Sequence, residues 1–172
     1  MKQVLQIPDE FQCIPFFESD VKKIEYDTDQ SFVELLESTY FLFDIEKQYK
    51  PWSEIETSIP AVLDVWKAKK EDISILFRNR KRKEAKEPMI QFAAHLVSIL
   101  HWLNGQLVPG MKEIEKEIEK LKIKPVNFRE RYLFITAQPD HYHSFIQITQ
   151  LYEEIEKLYV KALLIKKKSP SR

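Results

Sequence analysis

The chain has 172 residues with one cysteine, two glycines and 27 basic side chains against 27 acidic ones. A lone thiol excludes an internal disulfide and a zinc knuckle, and zero net charge excludes a global field that would steer the protein to nucleic acid or lipid. A compact chain of this length buries about 70% of its unfolded surface, so it needs no covalent staple, and a reducing, cytoplasmic setting is expected.

Residues 1–30 are expected to form an extended N-terminal arm packed on the domain. Met1 to Ile7 lacks the apolar stretch of a signal peptide. Ile7-Pro8 and Ile14-Pro15 favour extended backbone, and Phe11, Phe16 and Phe17 would be costly to leave in water. With only Gly105 and Gly110 available for positive φ, tight hairpins are disfavoured and helices are favoured. Residues 31–168 therefore read as one all-α domain, a helical bundle of about five or six helices, and residues 169–172 as a flexible tail.

The first helix begins at Ser31, with Glu34 at capping-box spacing, and Phe32, Leu35, Leu36, Tyr40 and Phe43 mark its buried face. Lys50-Pro51 closes it. A second starts near Ser58 with Pro60 in its first turn, turns Val62, Leu63, Val65 and Trp66 inward, and either runs on or breaks near Glu71. A third runs from Pro88 to Asn104 and ends on Gly105. Pro88 to Met111 carries no acid, lysine or arginine, but its apolar part falls short of a span and Gln91, His95 and Ser98 form a polar stripe. It reads as a central buried helix with no membrane role.

Met111 to Leu121 repeats glutamate and lysine around Ile114, Ile118 and Leu121, the pattern of a solvated helix. Asn127 with Glu130 offers a further cap ahead of Tyr132, Leu133 and Ile135. Asp140 is placed to cap the last helix, where Phe145, Ile148, Leu151, Ile155, Leu158, Ala162 and Ile165 form a long seam. That seam suits a bundle interior or a self-associating pair, so the protein is a monomer or a homodimer.

Charge is uneven along the chain. Residues 1–57 hold thirteen acids and five bases, and the remainder carries the balancing excess of bases. Arg78, Arg80, Lys81, Arg82, Lys83 and Lys86 place six cations in nine residues. Read as one helix, Arg78, Arg82 and Lys86 share a face that could track phosphates, while a helix C-terminus would favour the same cations through its dipole. His95, His101, Asn104, Asn127, Glu130 and Arg131 form a second constellation, read as a structural polar network or small pocket in which Arg131 pairs with an acid. The spacing of His95 and His101 does not suit a shared ion, and no nucleophile motif or glycine-rich phosphate loop occurs, so no metal, cofactor or catalytic residue is assigned.

Three stretches carry a family resemblance. His101-Trp102-Leu103-Asn104-Gly105, Lys124-Pro125-Val126-Asn127-Phe128-Arg129-Glu130-Arg131, and Phe145-Ile146-Gln147 running into Leu151-Tyr152-Glu153-Glu154 and Lys157 resemble the YpoC-like family of small proteins from bacilli and their relatives. The resemblance spans about Trp66 to Lys161. It implies a bacterial, cytoplasmic, helical protein and carries no catalytic residue across. The leading functional expectation is a non-enzymatic module that presents a helical surface to a protein partner. One alternative is an accessory nucleic-acid-binding protein using residues 78–86; another is a metal-dependent or acid-base enzyme built from His95, His101 and Glu130.

Overall fold

In the computed structural model, which describes residues 1–168, the N-terminal arm holds the molecule's two strands. The expected flexible tail at 169–172 lies outside the described residues. Strand β1 (Lys2–Gln6) pairs antiparallel with β2 (Lys23–Asp27), from Lys2 opposite Asp27 to Gln6 opposite Lys23. Between them a 3-10 turn at Asp9–Phe11 leads into an aromatic cluster. The rings of Phe11, Phe16 and Phe17 gather around Phe41 at centroid distances of 5.4, 5.3 and 6.3 Å.

Helix α1 (Phe32–Ser38) opens on the expected capping box. Ser31 Oγ accepts from the Glu34 amide at 3.2 Å, and Glu34 Oε2 accepts from the Ser31 amide at 2.9 Å. The helix does not continue to Phe43. Thr39 Oγ1 donates to the Leu35 carbonyl at 2.6 Å, Phe41 turns left-handed at φ 59°, and a separate helix α2 (Leu42–Glu46) follows. The break swings the Phe41 ring into the aromatic cluster, which a continuous helix could not do. It also brings the helix count among the described residues to seven, above the five or six expected.

Helix α3 (Ile55–Arg78) runs unbroken through Glu71 and begins ahead of Ser58, so Pro60 is its sixth residue. Helix α4 (Arg82–Leu103) likewise begins ahead of Pro88, which is its seventh. Each proline lacks the amide that would bond four residues back, and both helices absorb the loss because their apolar faces are buried along their length. Gly105, at φ 76°, ends α4 as its sequence suggests.

Helix α5 (Ile114–Lys120) and helix α6 (Phe128–Ala137) follow, then α7 (Tyr142–Lys168). Asn127 stands at the start of α6 but does not cap it: its backbone is left-handed at φ 57° and its side chain bonds no helix amide. Asp140 does not cap α7 either: the helix begins at Tyr142, which puts His141 at the cap position, and Arg82 donates to the Asp140 carboxylate instead. In α7 the seam through Phe145, Ile148, Leu151 and Ile155 is buried, whereas Leu158 and Ala162 are half-buried and Ile165 is exposed.

The long helices form the centre, with α7 antiparallel to α3: Lys67 meets Glu156, and Lys166 near the far end meets Glu56. Trp66 of α3 stacks on Tyr152 of α7 at 4.5 Å and meets Phe92 of α4 edge-on at 5.2 Å. Two buried tyrosines tie α6 and α7 to consecutive carbonyls of α4: Tyr132 donates to Ala93 at 2.8 Å and Tyr152 to Phe92 at 2.6 Å. Among the described residues, no helix is long and apolar enough to cross a membrane.

The arm is fixed to the α4–α5 connection by a close backbone approach. Glu10 O accepts from the Met111 and Lys112 amides at 2.8 and 3.1 Å, and a Cβ on Gly110 would lie 2.6 Å from Glu10 Cβ and 3.0 Å from Glu10 O. Gly110→Ala is therefore expected to destabilise the protein by about 1–3 kcal/mol. It should also speed proteolysis within residues 1–30; unchanged cleavage and an unchanged denaturation midpoint would contradict this account of the arm.

Candidate functional site

The six cations of 78–86 do not lie on one helix. Arg78 ends α3, Arg80 turns left-handed at φ 57°, and Arg82, Lys83 and Lys86 begin α4. The shared face expected for Arg78, Arg82 and Lys86 is thus broken by the turn at Asn79–Lys81. Arg80, Lys81, Arg82 and Lys83 instead line one open depression of about 490 Å³, together with Glu84 and Asp140.

This placement reverses the electrostatic explanation for half of the cluster, while Arg78, Arg80 and Lys81 stay at the C-terminal end of α3. A helix C-terminus stabilises cations, but Arg82, Lys83 and Lys86 stand in the first turns of α4, where the helix dipole is positive. Lys81 makes no side-chain cap there, and among the described residues the amides of Arg82, Lys83 and Glu84 have no acceptor. Arg78 is paired with Glu71 at 3.1 Å. Arg82 donates from Nε to the Asp140 carbonyl at 3.0 Å and from Nη2 to its carboxylate at 3.3 Å, which locks the turn to the start of α7. Arg80, Lys81, Lys83 and Lys86 are exposed and have no acid within 4.0 Å among the described residues.

The second constellation divides among separate places. His95 Nε2 bonds the Leu36 carbonyl at 2.7 Å, and burial pushes its pKa down to about 4, with that carbonyl opposing in part. His101 Nδ1 bonds the Val97 carbonyl at 2.9 Å, leaving Nε2 buried without a partner among the described residues. Burial lowers the His101 pKa too, against the Val97 carbonyl and the charge of Glu117. Glu130 is at the surface, with Arg129 3.9 Å away. An enzyme built on His95, His101 and Glu130 needs the three in one pocket, and they do not share one. Among the described residues, no group of three or more histidine, cysteine, aspartate or glutamate side chains is placed to hold a metal ion.

Asn104 works as a staple: Nδ2 donates to the Leu100 and Ile123 carbonyls, and Oδ1 accepts from the Ile123 amide at 2.9 Å. Arg131 pairs in bidentate fashion with Glu154, at 3.0 and 2.5 Å, and adds Gln147 Oε1 at 3.1 Å. Asn127 is exposed beside them in sequence and joins neither network.

The most tightly built polar centre is one that composition and spacing did not single out. Asp44 of α2 is wholly buried and accepts from Ser98 Oγ at 3.0 Å, Trp102 Nε1 at 2.9 Å and the Val108 amide at 3.0 Å. Burial raises its pKa to about 6, while the Val108, Trp102 and Ser98 donors pull it down. The available signal was an acid inside the apolar run Leu42-Phe43-Asp44-Ile45. Asp44, His95 and Ser98 border a cavity of about 10 Å³, room for a single water at most. Asp44 and Ser98 hold α2 against α4, His95 holds α1 there, and the three offer no space to a substrate.

Sequence comparison completes this picture. A curated relative from Bacillus subtilis (strain 168), "Uncharacterized protein YpoC", is 32% identical over 123 residues, covering 71% of this chain and 75% of the relative. No solved structure matches the chain significantly. The family described as YpoC-like protein matches residues 56–167, which run from the first turn of α3 nearly to the end of α7, and the chain belongs to that family.

Proposed function

We propose that this protein is a non-enzymatic interaction module whose contact surface is the basic turn between α3 and α4, and that its partner there is a polyanion. The observation that carries this reading is the set of exposed cations at the positive end of α4. The α4 dipole opposes Lys83 and Lys86 in that position, and the like charges of Arg80 and Lys81 in the adjoining turn add repulsion. An anion in the depression would relieve that repulsion and accept from the free amides of Arg82, Lys83 and Glu84. A nucleic-acid backbone is the polyanion best matched to several cations on one open surface.

The test is fluorescence anisotropy with labelled single- and double-stranded oligonucleotides across a salt series. Binding is expected to weaken steeply with salt, and Arg80→Glu, Lys81→Glu and Lys83→Glu together should abolish it. Arg82 is left in place because it anchors Asp140. Binding that ignores both salt and the triple substitution would sink the proposal. A pull-down from bacterial lysate, with and without nuclease, adds the contrast: a partner kept after nuclease and lost in the triple variant would be an acidic protein using the same turn.

A further inference from the structure

Two depressions of about 430 and 350 Å³, both lined by Glu37 and Gln91, make a groove across α1, α3, α4 and the arm that is bridged at its middle by those two residues. Phe17 and Ile24 floor one half, Ile73 and Phe92 the other. Gln91 Nε2 fixes the middle by donating to the Leu36 and Glu37 carbonyls at 3.0 and 2.6 Å.

The rim is acidic. Glu37, Asp72 and Glu87 face it, Glu87 accepting from the Tyr40 hydroxyl; Lys23 is paired with Glu25, which leaves Lys69 as the opposing charge. Glu37 lies in the last turn of α1, where the helix dipole disfavours an acid. This charge pattern calls for a basic occupant with apolar side chains between its cations.

Such an element is present on the same molecule. Past Tyr159, α7 runs on with Val160, Leu164 and Ile165 at 50%, 54% and 56% exposure. Val160 and Leu164 form one row at helical spacing, and Lys157, Lys161 and Ile165 form the row beside it. The chain cannot fill its own groove with this end. Lys166 is held at Glu56 near the start of α3, whereas the groove is lined by Val65 to Leu76 of that helix, at its nearest nine residues and about 14 Å farther along.

We infer that the groove receives the C-terminal end of α7 from a second copy of this chain, the two copies exchanging helix ends about a twofold axis. Leu164 and its row cover the apolar floor, and Lys157 and Lys161 meet Glu37 and Asp72. A reciprocal arrangement doubles the contact and closes the assembly at two chains. The inference stands apart from the basic turn, whose residues it does not use.

The experiment is sedimentation equilibrium at low salt on the full chain, from micromolar to submillimolar concentration. One variant carries Glu37→Lys and Asp72→Lys, a second carries Lys157→Glu and Lys161→Glu, and circular dichroism checks that both remain folded. All four positions are exposed and unpaired among the described residues. The unmodified chain is expected to dimerise reversibly, and each variant alone to associate roughly tenfold more weakly or worse. Mixing the two variants should restore a dimer, because each helix end then meets a groove of opposite charge. A chain monomeric throughout, dimers indifferent to either variant, or a mixture no stronger than its components would overturn the inference. Leu164→Glu supplies an independent check, since it should weaken self-association without altering either lysine.

Discussion

Trp66→Ala is expected to lower stability by about 3–5 kcal/mol, the largest loss foreseen for a single substitution here. The indole is 2% exposed and touches both other long helices, stacking on Tyr152 at 4.5 Å and meeting Phe92 at 5.2 Å and Phe145 at 6.3 Å. Truncation leaves a cavity where α3, α4 and α7 meet, and the three rings around it cannot all close in. Urea denaturation followed by far-ultraviolet circular dichroism should show a large fall in midpoint at unchanged slope. A loss below about 1 kcal/mol would mean that the three helices do not depend on this contact.

Asp44 should separate two effects that usually coincide. Asp44→Ala strands the Trp102 indole and the Val108 amide inside the protein and should cost about 3 kcal/mol near neutral pH, since a buried unpaired donor is destabilising by about 1–3 kcal/mol. Asp44→Asn keeps an acceptor for both, can donate to Ser98 Oγ, and removes the buried charge. The native carboxyl is held at about 6, above its ordinary value of 3.8, so the fold favours its protonated form. That stabilisation is complete below about pH 4 and is lost as pH rises through 6. The asparagine variant does not titrate there. Its stability relative to the native chain should therefore grow by on the order of 3 kcal/mol between pH 4 and pH 7.

His95 contributes with the opposite slope. Its pKa is lowered to about 4, so its contribution is present above 6.5 and lost as pH falls through 4. In the native chain Asp44 offsets part of that acid loss. In Asp44→Asn nothing at this centre does, and stability should fall steadily from pH 6.5 to pH 4. Parallel pH profiles for the two proteins would show that Asp44 is ionised in the fold as readily as in water.

The features legible in the sequence were those set by local repetition. The seam of α7, the capping box at Ser31 and the glycine after α4 each need only a few neighbouring residues to define them. The break after Ser38 depends on Phe11, Phe16 and Phe17, which are distant in sequence, and Tyr40 and Phe43 kept the helical period intact across it. The prolines misled in a consistent way: Pro60 and Pro88 were read as first-turn residues, yet both lie inside helices long enough to tolerate them. The basic cluster was legible as composition but not as geometry. Arg80 adopts a left-handed backbone without being glycine, and that one residue turns an apparent helical face into a turn between two helices.

The contact between α1 and α4 has a consequence for motion. α1 has seven residues, fewer than an isolated helix needs to persist in water, and its last carbonyls are held by Gln91 and His95 of α4. Its amides should therefore exchange with deuterium whenever the N-terminal layer lifts from α4, well before the aromatic junction of the long helices opens. β1, β2, α1 and α2 should lose protection together as one cooperative unit, while the amides around Trp66, Phe92 and Tyr152 exchange only with global unfolding.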